Sequence, residues 1–162
     1  MKLRTQPLTA EAFRIFGDVI ETAGVTAESI NQGNTRKFAD LAKMTATDGG
    51  RVQISIYSSN AIELPFRIRM MERHPYGSQA FYPLHDRPFP IVVAPPDTVP
   101  GPDTVRAFLS NGRQGVNIHP DVWHHYQLSM AETSEYLVID RAGPGVNCDE
   151  YLLEQEVILV NI

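Results

Sequence analysis

Apolar residues recur at every second position through most of the chain after residue 50, the spacing of strands with one buried face. Residues 51–58 alternate in this way, predicting Val52, Ile54 and Ile56 inward and Gln53, Ser55 and Tyr57 outward. Further strands are predicted at 18–21, 64–74, 78–84, 89–94, 104–110, 115–119, 122–129 and 135–141, with a last apolar run at 156–162. One short helix is predicted over 10–16, with Thr9 as N-cap and Gly17 as C-cap. Residues 22–50 are polar and mixed. Pro-rich joints at 83–90 and 95–102 argue against helices there. Many short strands after one small helix predict an all-β fold, an antiparallel sandwich or barrel.

Two of these strands carry polar groups on the face that the pattern turns inward. In 66–74, Phe66, Ile68 and Met70 share a face, and the same face continues to Glu72 and His74; Arg67, Arg69 and Arg73 lie opposite. In 122–128, Val122, His124, Tyr126 and Leu128 share the more apolar face, which sends His124 in and His125 out. A buried carboxylate or imidazole costs several kcal/mol unless it is paired, hydrogen-bonded or metal-bound. A single inward histidine is most often a satisfied core group. Glu72, His74 and His124 converging from two strands point to a site.

Composition narrows the class. The 162 residues fit a single domain, 1–162, with a sizeable core. A formal charge of −5 argues against nucleic-acid binding, and the Arg67/Arg69/Arg73 stripe lacks interleaved aromatics. No stretch is long and apolar enough for a membrane span, and the N-terminus shows no apolar signal-peptide core. The single Cys148 excludes an intrachain disulfide and a thiolate cluster; it reads as an incidental thiol. A cytoplasmic location is expected.

A barrel with metal ligands on two strand motifs resembles the cupins, whose first motif holds His-x-His-x4-Glu and whose second holds a downstream His. Glu72, His74 and Gln79 match the first motif in spacing, and His124 follows Ile118-His-Pro-Asp-Val-Trp where the second belongs. Glu72 stands for the first His, Gln79 for the Glu, and Asp121 for the turn glycine. A closer resemblance, over nearly the whole chain, is to the ureidoglycolate lyase family. It rests on Phe16-Gly-Asp-Val-Ile-Glu21, Glu72-Arg-His-Pro75 with Gln79-Ala-Phe81, Arg106-Ala-Phe, and Asn111-Gly with Gln114-Gly-Val-Asn117. Val122-Trp-His-His125, Ile139-Asp-Arg141 and Asn147-Cys-Asp149 complete it.

The resemblance implies a cupin-type double-stranded β-helix, a homodimer, a divalent metal (nickel in the family), and cleavage of ureidoglycolate to urea and glyoxylate in allantoin catabolism. Glu72, His74, Gln79 and His124 are then candidate metal ligands, with Glu72, His74 and His124 also candidate acid–base groups. Such a nitrogen–oxygen set suits Ni²⁺, Mn²⁺ or Zn²⁺. The substrate's carboxylate calls for an Arg fork, with Arg106 and Arg141 as candidates and Asn117 as a further polar contact. Another metal-dependent cupin enzyme, or a non-catalytic metabolite-binding cupin, are the alternative readings.

Overall fold

The structure, a computed structural model, describes residues 1–161. In chain order the elements are β1 (Lys2–Pro7), α1 (Ala10–Phe13), β2 (Gly17–Ile20), β3 (Glu28–Ile30), β4 (Thr35–Lys37), β5 (Arg51–Ser59), β6 (Phe66–Arg73) and β7 (Gln79–Pro83). There follow β8 (Pro90–Ala94), β9 (Arg106–Leu109), β10 (Gly115–Ile118), β11 (Trp123–His124), β12 (Ser134–Ala142) and β13 (Asp149–Asn161). Six strands close a barrel in the order β1-β13-β6-β11-β8-β9, and β2-β10-β7-β12-β5 form a second sheet. The hairpin β3–β4 is a separate two-stranded sheet. The all-β barrel with one short helix is as the alternation predicts. Its pairing is antiparallel except at β1, which lies parallel to both β13 and β9 and closes the barrel.

The alternation creates two cores. One side of the barrel wall sends Leu3, Ile68, Met71, Val92, Ala107 and Leu159 to the barrel interior. The other sends Ile91, Val93 and Phe108 outward, against Val19, Phe81, Val116 and Val138 of the second sheet. α1 plugs an end of this second core: Phe13 is fully buried and meets Phe108 edge-on at 5.2 Å. Burying one such ring is worth about 1.5–3 kcal/mol.

Several boundaries differ from expectation. Thr9 caps α1 by accepting a hydrogen bond from the Ala12 amide, but the helix ends at Phe13, and Gly17 opens β2 instead of capping. The predicted strand over 122–129 is reduced to Trp123–His124; beyond it Tyr126 is 48 % exposed, although Val122 and Leu128 are buried as expected. The last apolar run belongs to the longer β13, with Ile162 outside the described residues.

β5 is reversed with respect to its predicted faces. Val52, Ile54 and Ile56 are exposed on one face, while Tyr57, itself 39 % exposed, lies on the other face against Phe81. The reason is register. Tyr57 lies opposite Tyr136 of β12, which is fully buried, so the odd positions of β5 take the inner face and the even ones the outer.

β6 also departs from simple alternation. Ile68 pairs with Val157 but Met70 pairs with Leu152, an irregularity in the β6–β13 ladder. Across it the alternation slips by one. Met71, not Met70, joins Ile68 inside the barrel. Glu72 is thereby turned the other way, into the space between barrel and second sheet.

Candidate active site

At one end of that space the apolar filling stops and polar side chains from both layers meet. β6 and the turn after it supply Glu72 and His74, β11 supplies His124, and β7 supplies Gln79 from across the gap. The candidate ligand atoms of Glu72, His74 and His124 all lie within 4.8 Å of one another. His124 Nε2 is 3.6 Å from Glu72 Oε1 and 3.1 Å from Gln79 Oε1, and the two imidazole rings are 5.0 Å apart.

The hydrogen bonds at the rim decide what these atoms present. His74 Nδ1 donates to the Asn147 carbonyl at 2.6 Å and His124 Nδ1 to the Val122 carbonyl at 3.0 Å. A carbonyl only accepts, so each Nδ1 carries a proton and each Nε2 is the ring atom turned toward the cluster. His74 Nε2 is buried without a partner. Gln79 Nε2 donates to Asp140 Oδ2 at 3.4 Å, which directs Gln79 Oε1 toward His124. His124 Nε2 and the Glu72 and Gln79 oxygens therefore converge on one another. Burial, and then the neighbouring His74, hold the pKa of His124 down to about 3, so a proton does not relieve the contact near neutral pH. Backbone carbonyls behind metal-binding histidines have this same orienting effect. The donor set of two imidazoles, a carboxylate and an amide oxygen fits a borderline divalent cation.

Beside them lies a cavity of about 470 Å³, lined by Glu72, His74 and Gln79 together with Tyr57, Ser78, Asp140, Arg141, Asn147 and Cys148. Arg141 is buried and its side chain is held in place. Its Nε donates to the Thr47 carbonyl, and its Nη2 donates to those of Asp48 and Pro144. Gly50 and Gly77 make room for it: a Cβ on Gly77 would stand 2.6 Å from Arg141 Cβ, and one on Gly50 would collide with the guanidinium. Among the described residues no carboxylate forms an ion pair with Arg141, so its charge is offset by carbonyl dipoles and by the face of Tyr76, 5.5 Å from the guanidinium.

The structure separates the other two predicted substrate contacts from this cavity. Arg106 is exposed on β9 and donates to the Val105 carbonyl. Asn117 is fully buried, but on the outer face of the second sheet, where its Nδ2 donates to Asp18 Oδ2 and the Lys43 carbonyl. Alternation explains the outcome for Asn117: Val116 and Ile118 are the inward residues of β10. Asp18 serves that outer cluster. Burial opposes its charge, yet hydrogen bonds from Asn117, the Lys43 amide and His119 hold it below the usual carboxylate range.

His125 is not on the surface as predicted. It is buried beneath Phe66, edge-on at 5.6 Å, and burial holds its pKa down to about 4. It stays outside the cavity. Both His124 and His125 are thus neutral when folded, with folded pKa values below the ordinary 6.5. Between about pH 4 and 6.5 the unfolded chain binds more protons, so stability rises with pH through that window and levels off above it. Metal-free protein is expected to lose roughly 2 kcal/mol per buried imidazole between pH 7 and pH 5. Urea denaturation at the two pH values checks this, and equal midpoints would rule it out.

Residue-level reading missed Tyr57, because it was assigned outward, and gave Ser78, Asp140 and Asn147 no role. Burial, then Asp140 and Glu72, push the pKa of Tyr57 up, so its hydroxyl stays protonated. Cys148, read as incidental, stands at the cavity rim with Sγ 3.9 Å from Glu72 Oε2. Burial, with Glu72 and Glu150, pushes its thiol up, which keeps it from acting as a nucleophile.

Residues 1–160 match the sequence profile of the family described as ureidoglycolate lyase. The chain belongs to the ureidoglycolate lyase family. A ureidoglycolate lyase of Pseudomonas aeruginosa (strain LESB58) is 53 % identical over 161 residues, covering 98 % of this chain and 95 % of that protein. One from Stutzerimonas stutzeri (strain A1501) is 53 % identical over 155 residues, 95 % of this chain and 91 % of its own length. One from Azotobacter vinelandii (strain DJ) is 50 % identical over 161 residues, 98 % and 97 %.

Proposed function

We propose that this protein cleaves ureidoglycolate to urea and glyoxylate, in a single catalytic domain that spans 1–162 and works as a cytoplasmic homodimer in allantoin breakdown. The observation that carries the reading is the convergence of Glu72 Oε1, Gln79 Oε1 and the Nε2 atoms of His74 and His124, in a chain of this family. Among the described residues no helix is long and apolar enough to cross a membrane.

These four residues would hold a divalent ion, nickel by resemblance to the family. When bound, the ion would supply a Lewis acid that acidifies the substrate hydroxyl. The chain's own groups account for the rest. Arg141, a buried cation without an ionic partner on the cavity wall, holds the substrate carboxylate. Glu72 takes the hydroxyl proton: burial pushes its carboxyl up, against the pull of His74, toward the range suited to a general base. Its Oε2 faces the Cys148 side, away from the oxygen that approaches His124. As the carbon–oxygen double bond forms and the carbon–nitrogen bond breaks, the departing nitrogen takes a proton from the Tyr57 hydroxyl across the cavity. Urea and glyoxylate leave, and solvent returns the proton from Glu72 to Tyr57.

Product analysis tests the reading. Metal-loaded protein with racemic ureidoglycolate is expected to release urea and glyoxylate in equal amounts. Ammonia as the nitrogen product would exclude the lyase. No turnover with nickel, manganese or zinc would favour a metabolite-binding cupin.

A further inference from the structure

Two polar atoms on the cavity wall take no part in the chemistry above. Asp140 Oδ1 is buried without a partner, the only such atom on a cavity-lining residue besides His74 Nε2 among the described residues. Its fellow oxygen accepts from Gln79 Nε2. A buried carboxylate oxygen without a donor is unfavourable by itself, and a ligand that brings an N–H relieves it.

Asn147 offers the opposite. Its side-chain Oδ1 accepts from the Tyr76 amide at 2.7 Å, and its main-chain carbonyl accepts from His74 Nδ1. A backbone amide only donates, so this bond fixes which end of the Asn147 side chain is oxygen. Nδ2 remains, and it meets no acceptor among the described residues. The loop that carries it is pinned, because the Pro144 carbonyl accepts from Arg141 Nη2. Both Asp140 and Asn147 line the cavity, so its wall brings one unpaired acceptor and one unpaired donor.

We propose that these two atoms read the ureido group of the substrate: Asn147 Nδ2 donates to its carbonyl oxygen, and Asp140 Oδ1 accepts from its terminal amino group. The inference rests on the lyase reading above and gives that site a specificity subsite. With the substrate carboxylate on Arg141 and the hydroxyl at Glu72, the ureido group is the part of the molecule still in need of partners. Tyr57, which meets the departing nitrogen, stands close enough to Asp140 for that carboxylate to favour its protonated form. The nitrogen that Tyr57 protonates and the group that Asp140 binds therefore belong to the same end of the substrate.

Asn147 also acts on the rate. When the carbon–nitrogen bond breaks, its electron pair passes to the nitrogen and spreads onto the ureido carbonyl oxygen until the Tyr57 proton arrives. A donor at that oxygen is bound more tightly in the transition state than before it. A substrate lacking the ureido group leaves both atoms unpaired, which is how a polar site rejects it.

Calorimetric titration of the metal-loaded protein with oxalurate and with oxamate tests the subsite. The two ligands share a carboxylate beside a carbonyl and differ by one carbamoyl group, and neither carries the hydroxyl that cleavage needs. The wild type is expected to bind oxalurate roughly tenfold more tightly than oxamate, and Asn147→Ala and Asp140→Asn to lose most of that preference. A change in charge alone shifts both ligands together and leaves their ratio intact. Circular dichroism and metal content check each variant. Should Asn147→Ala lose the ion, Asn147→Asp keeps the Tyr76 bond and puts an acceptor where the donor stood, with the same loss of preference expected. An undiminished preference in the folded, metal-loaded variants would overturn the subsite. So would a wild type without preference that still releases urea from ureidoglycolate. Preference for oxalurate with no urea release would overturn the lyase reading and leave the subsite standing.

Discussion

Replacing His124 by Ala is expected to lower the rate of urea release by roughly 10²- to 10⁴-fold, the range for losing a group that acts directly in proton transfer or ligation. His125→Ala should leave turnover per folded molecule largely intact. The two residues are neighbours in sequence, but their surroundings differ. His124 is buried with Nε2 among Glu72 and Gln79 oxygens, whereas His125 lies under Phe66 and Tyr126 with its Nδ1 on the Tyr126 carbonyl. Removing the His125 ring opens a gap in packing, so its effect belongs to stability, on the order of 1–3 kcal/mol. Steady-state kinetics together with denaturation curves separate the two outcomes. An inactive but stably folded His125→Ala beside an active His124→Ala would reverse the assignment.

The second large effect concerns charge at the centre. Glu72→Gln keeps size and shape but removes the one anion among the four convergent residues. Metal affinity is expected to fall by at least the roughly 10- to 100-fold that loss of a mere supporting partner costs at such sites. Urea release should fall further, because the same substitution removes the base. Excess metal should recover occupancy but not rate, and full recovery of rate would show that Glu72 is a ligand only. Competition titration with a chromophoric chelator, followed by assays at saturating metal, reads both.

The period-two pattern was enough to draw Glu72, His74 and His124 together from strands far apart in sequence, because a polar group on an apolar face stands out in a list of residues. It did not reveal why they meet. The slip between Ile68 and Met70 is what turns Glu72 away from the barrel interior toward the second sheet, and irregularities of pairing leave little trace in residue type. Tyr57 was lost for a different reason. Val52, Ile54 and Ile56 are the more apolar set on β5, so a rule that sends apolar residues to a monomer's core reverses that strand.

The arginines show the same limit. Arg141 and Arg106 are equivalent by type, one near the end of a strand and the other at the start of one. What distinguishes them is the space made by Gly50 and Gly77 and the carbonyls of a segment about ninety residues away, contacts that belong to tertiary structure. Asn117 was ambiguous between two faces; with Val116 and Ile118 in the core it takes the outer one, where it donates to Asp18.

The proposed divalent ion, held by four side chains where the carbon–nitrogen bond is broken, is the point on which the mechanism turns. Metal content by inductively coupled plasma mass spectrometry, after loading and desalting, tests it most directly when run on wild type, His74→Ala and His124→Ala. One ion per chain in the wild type and well below one in both folded variants is the predicted result. Equal occupancy in all three proteins would contradict it.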